Sequence, residues 1–177
     1  MKKNKVLGIA IIILIMILMI VSIKFTDYKL QNVFLKNEAI ARKNIAIETL
    51  PNAKELVSYS QELLIGVSNC YIETKGLGMV TETNVSAQNI KIDIFVGVNH
   101  KGYISGVIVT GDEFENTFVE DLIDDEYLSA YIGVNEITEE SIKQDARFEY
   151  QKSTDEIAES IYQTVKLALR QYGEIYE

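Results

Sequence analysis

Residues 90–111 read IKIDIFVGVNHKGYISGVIVTG, and the spacing of their apolar side chains decides the fold. Ile90, Ile92, Ile94 and Val96 alternate with Lys91, Asp93, Phe95 and Gly97, a period of two that belongs to a strand with one face turned inward. Asn99, His100, Lys101 and Gly102 supply a hairpin connection, since Asn and Gly accept the backbone angles of a tight turn. The chain then returns over GYISGVIVTG. Upstream, NCYIETKG and GMVTETNV have the same Val, Ile, Tyr and Thr content, punctuated by Gly76 and Gly78. The pattern predicts an antiparallel meander of about four strands.

Helical patterns flank this sheet. Residues 27–48 contain neither Gly nor Pro, and Leu30, Val33, Phe34, Ile40, Ile45 and Ile47 keep a rough helical spacing that Pro51 ends. A second short helix is expected over Lys54–Leu64, and a third over Thr117–Ala130, with Phe118, Leu122 and Ile123 opposite acids. At the end of the chain, Ser153 followed by Glu156 forms a capping box. Ile157, Ile161, Val165 and Leu169 then recur every four residues up to a stop at Gly173. The expected fold class is α+β: a β-meander packed by helices, including a C-terminal amphipathic helix. The expected divisions are an anchor (1–26), a helical linker region (27–64) and a compact domain (65–177).

The anchor is read from Val6–Ile23, 18 residues without a charge. As a helix they span roughly 27 Å, close to the thickness of a bilayer core. Lys2, Lys3 and Lys5 on the short side favour a cytoplasmic N-terminus, with the domain extracytoplasmic. The run exceeds a signal-peptide core and no small-residue cleavage site follows, so a retained single-pass anchor is expected. The single thiol, Cys70, lies too far along the chain for a lipoprotein.

The whole chain carries a net charge of -9, yet residues 25–177 hold 13 basic and all 26 acidic side chains. So acidic a surface gains nothing from phosphate backbones, which excludes nucleic acid as a partner. One Cys and one His remove disulfide frameworks, multi-Cys metal sites and His-centred triads. Asp112, Glu113, Glu115, Glu120, Asp121, Asp124, Asp125 and Glu126 form an acidic cluster without EF-hand spacing, which reads as a solvated or partner-facing helix face. No metal ligands are assigned. Cys70, in a strand-like run, reads as a buried inert thiol and His100 as an exposed turn residue.

The order of these features resembles the extracytoplasmic FMN-binding domain, the family of subunits G and C of the Rnf and Na+-translocating NADH:quinone oxidoreductase complexes. The resemblance rests on the N-terminal apolar run, the helix ending in IAIETLP, the stretch 90–113, and Asp145-Ala146 ahead of Ser153-Thr154 and the final helix. It implies an FMN whose phosphate is esterified to a Thr hydroxyl within D-x-x-S-G-A-T-x-T-S. There small residues admit the phosphate and helix-start amides face it. Laid on this sequence, Asp145 and Ala146 open the motif, Lys152 takes its variable position and Ser153 and Thr154 close it. Arg147, Phe148, Glu149, Tyr150 and Gln151 replace the middle, with Gln151 at the acceptor position.

Gln has no hydroxyl, so covalent attachment there is chemically excluded. The family's glycine-rich turn is Ser86-Ala87-Gln88-Asn89 here, and of its E-T-P-G loop only the acid, Glu113, survives. The resemblance therefore implies a divergent member in which FMN, where held, is non-covalent. Gln151, Lys152, Ser153, Thr154 and Glu113 are the residues expected beside it. Ser153, Thr154 and Glu156 also have a purely structural reading as a helix cap. The function expected is membrane-anchored electron transfer, or a place in a redox complex, rather than an enzyme by itself. The alternative is a cofactor-free interaction module on the same scaffold.

Overall fold

A computed structural model describes residues 2–87, 90–111, 126–138, 140 and 155–176, of which 2–15 and 155 are described in backbone only. The chain divides into two units, residues 1–42 and 43–177. Helix α1 (Lys2–Glu48) supplies the first unit and the opening of the second. Among the described residues no helix is long and apolar enough to cross a membrane, and the side chains of the run Val6–Ile23 are described only from Met16 onward.

The second unit is α+β. Its sheet has five strands, β1 (Leu56–Ser58), β2 (Asn69–Glu73), β3 (Gly78–Ala87), β4 (Ile90–Asn99) and β5 (Ile104–Gly111). They lie in chain order, each antiparallel to the next. The expected hairpin between β4 and β5 is present: the Gly102 amide donates to the Asn99 carbonyl at 2.9 Å, and Gly102 takes a φ of 78°. Asn99 Oδ1 also accepts the Lys101 and Tyr103 amides, which fixes the turn from within.

Both sheet faces are covered, whereas the period-two reading foresaw one. On the first, Met79, Ile92, Ile94, Val96, Val98, Val107 and Val109 form a core with Ile157, Ala158, Ile161, Tyr162, Val165 and Ala168 of helix α2 (Asp155–Tyr176). Tyr127, Ala130 and Tyr131 of a short 3-10 helix (Tyr127–Tyr131) join this core. On the second face, Leu56, Tyr71, Val80 and Phe95 cluster with Ala46 and Leu50 at the end of α1. Phe95 is buried because the carboxyl end of α1 lies above it.

That end is seated through Thr49. Gly97 pairs with Gly106, and Ser105 is the extra residue of a bulge between β4 and β5. The two glycines leave room for the Thr49 carbonyl, which accepts the Ser105 hydroxyl at 2.8 Å. The Thr49 hydroxyl in turn donates to the Ala46 carbonyl at 2.8 Å, satisfying one of the helix's last acceptors.

Three expectations are corrected. Residues 54–64 hold no helix but contain β1, because Leu56 gains burial opposite Glu73 by pairing at the sheet edge. Of the helix expected over 117–130, residues 117–125 lie outside the described residues. The remainder is the 3-10 turn, entered through Glu126 at a φ of 59°, a left-handed conformation that no α-helix continues through. Finally, α2 does not stop at Gly173 but runs to Tyr176, where Tyr172 and Tyr176 stack at 4.7 Å across the glycine.

Candidate functional site

Each residue that the resemblance set beside a flavin, Glu113, Gln151, Lys152, Ser153 and Thr154, lies outside the described residues, as do the rest of 145–154 and the acids from Asp112 to Asp125. What the structure places is the helix that follows: α2 opens at Asp155, directly after the stretch that matches the phosphate motif.

Among the described residues an open groove of about 1030 Å³ lies farther along α2. One wall is the helix face bearing Tyr162, Lys166, Leu169, Arg170 and Glu174; the other is Asn135–Thr138 with Glu140. Tyr162, Lys166 and Arg170 recur every four residues, so they rise in a column on one helix face. The Lys166 ammonium sits 5.8 Å from the centre of the Tyr162 ring. The two cations are matched by Glu136, Glu140 and Glu174 around the same groove, so its lining is of mixed sign. This groove was readable only as the four-residue spacing of Lys166 and Arg170, because its second wall comes from a loop with no pattern of its own.

A smaller cavity of about 260 Å³ adjoins it, lined by His100, Lys101, Gly102, Asn135, Leu169, Tyr172 and Tyr176. The Tyr172 hydroxyl donates to the His100 carbonyl at 2.9 Å and ties α2 to the hairpin turn. His100 is exposed, as its turn position implied.

No family model matches this chain, and no curated protein or solved structure does. The chemistry must therefore be read from the residues themselves. Cys70 is buried, and its burial pushes the thiol up to about 12, so it is a neutral, unreactive group at physiological pH.

Two carboxylates are buried in the sheet. Glu82 accepts the Asn69 side-chain amide at 3.0 Å and the Tyr71 hydroxyl at 3.2 Å. Glu73 Oε2 accepts the Lys75 and Leu77 amides at 2.5 and 3.3 Å and so closes the β2–β3 turn. Glu73 Oε1 has no hydrogen-bond partner among the described residues. These acids shape the sheet and its turn. Among the described residues no cluster of three or more metal-ligating side chains occurs.

Proposed function

We propose that this chain is a membrane-tethered protein whose extracytoplasmic α+β domain is built on the FMN-binding-domain scaffold and takes part in electron transfer as a subunit or accessory of a redox complex. The observation that carries the reading is the order of its parts. A meander centred on Ile90–Gly111 is followed by a helix that begins directly after Asp145-Ala146 and Ser153-Thr154. The tether is the uncharged run Val6–Ile23, with Lys2, Lys3 and Lys5 holding its start in the cytoplasm.

Any flavin held is non-covalent, since Gln151 offers an amide where an ester needs a hydroxyl oxygen. Lys152, Ser153 and Thr154 would then meet the phosphate and Glu113 would lie on the loop after the central hairpin. The flavin would carry the electrons, and the protein would fix its place and surroundings.

The visible spectrum of the full chain, purified from flavin-replete cells and then acid-precipitated, tests this. Yellow colour released to the supernatant is the expected result, whereas colour retained in the pellet would contradict the Gln151 argument. A colourless protein would favour a second reading, a cofactor-free interaction module. The mixed-sign groove supports that reading, because Lys166 and Arg170 together with Glu136, Glu140 and Glu174 suit a polypeptide surface better than a phosphate.

A further inference from the structure

Helix α2 leaves a buried hydroxyl without a partner, and it belongs to the wall of the groove described above. Tyr162 is 3% exposed and packs in the core of the first sheet face, yet its hydroxyl makes no hydrogen bond among the described residues. Buried polar groups are rarely left so, because each has given up water without a replacement. The charges around the groove are in the same state. Lys166, Arg170, Glu136, Glu140 and Glu174 are all exposed along it, and none makes an ion pair among the described residues. Arg170 and Glu174 stand four residues apart on α2, a spacing at which an ion pair is available, and they do not form one.

We propose that the groove docks an extended segment of a partner polypeptide in which acidic and basic residues alternate, the acids turned to Lys166 and Arg170 and the bases to Glu136 and Glu140. This deepens the interaction-module reading above and rests on it. The spacing supports it. Four residues on a helix separate Lys166 from Arg170 by about 6 Å along the axis, and side chains two apart on an extended strand are separated by about 6.6 Å. Successive side chains of such a strand point to opposite sides. A segment lying along α2 therefore turns every second residue to the helix and the others to the loop wall. From Tyr162 to Glu174 the groove follows α2 for roughly 18 Å, room for about five extended residues.

The balance of charge selects this occupant. The groove holds two cations among three carboxylates, and residues 25–177 carry 26 acids against 13 bases, so an all-acidic segment or a phosphate is repelled. An all-basic segment would set like charge against Lys166 and Arg170, and an apolar one would strip water from five charges without replacing it. A carboxylate or peptide carbonyl settling beside Lys166 also brings an acceptor to the Tyr162 hydroxyl, one helical turn away.

Random heptapeptides displayed on phage and selected on the full chain in detergent test the proposal, with Lys166→Glu/Arg170→Glu, two exposed positions, as the counter-selected chain. Sequences alternating acid and base are expected to be enriched on the parent alone. A labelled peptide of the enriched sequence should lose at least about tenfold in affinity on the doubly substituted chain by fluorescence anisotropy. Tyr162→Phe should weaken the same peptide several-fold while leaving the urea midpoint of the free chain no lower, because the hydroxyl has no partner there to lose. A lower midpoint with unchanged affinity would make the hydroxyl structural and overturn the proposal, as would enrichment of sequences of one sign. Peptides enriched equally on both chains would remove the groove and keep an interaction module elsewhere on the chain, whereas no enrichment on either would remove both.

Discussion

At the scale of single residues, Gly97 is a position that admits no side chain. A Cβ there would lie 2.2 Å from the Thr49 carbonyl oxygen and 2.7 Å from Ser105 Oγ. The first of these is backbone and cannot swing away. Gly97→Ala is expected to destabilise the domain by about 2–3 kcal/mol, read as a lower urea midpoint at unchanged slope. An unaltered midpoint would mean that α1 does not end on the sheet. Ser105→Ala removes only one hydroxyl donor and should cost about 1 kcal/mol.

Cys70 gives a pH signature. Its folded thiol is raised from 9.0 to about 12, so between those values the unfolded chain has released a proton that the native state keeps. The corresponding stability is complete below pH 9 and falls by about 1.4 kcal/mol per pH unit as pH rises toward 12. Burial raises Tyr176 in the same direction, with Tyr172 next in importance, so the comparison that isolates the thiol is Cys70→Ala, which should flatten part of the alkaline slope in chemical denaturation.

At the scale of elements, α2 is the main cover of the first sheet face. Ile161, 1% exposed, lies at the middle of its buried row. Ile161→Ala should cost about 3 kcal/mol through lost burial and the cavity left, whereas a change at exposed Glu159 on the same helix should move the midpoint little. This helix and the hairpin were legible because each has a strong period and a clear turn or cap.

Residues 54–64 were not legible, since a three-residue edge strand is too short for a period and is decided by Leu56 finding a place opposite Glu73. The second buried face was hidden for a similar reason. Phe95 and Gly97 read as the outward side of an alternating strand, and only the arrival of Thr49 from 48 residues earlier makes them interior. The candidate flavin stretch was legible only through resemblance, because Gln151 through Thr154 have no periodicity that would mark them. The groove column of Tyr162, Lys166 and Arg170 was present in the sequence but has the same spacing as any solvated helix face.

At the scale of the whole molecule, the division at residue 42 separates a helix whose large apolar side chains are exposed from Met16 onward from a domain with a core on both sides of its sheet. The domain's share of α1 is small but is part of that core: Ala46 and Leu50 are 0% and 1% exposed and close the cluster around Phe95. A fragment starting at Lys43 retains all of these contacts and is expected to unfold at the same denaturant midpoint as the full chain. A fragment starting at Ala53 keeps every strand but loses the cover of the second face. Leu50 alone represents about 2–3 kcal/mol of burial, and the Thr49 bond to Ser105 goes with it, a large share of the stability of a domain this size. It is therefore expected to unfold at a much lower midpoint, or to bind a dye for exposed apolar surface already in buffer. If the two fragments unfold alike, the end of α1 is not a structural part of the domain, and the linker region from residue 27 ends where the sheet begins rather than within it.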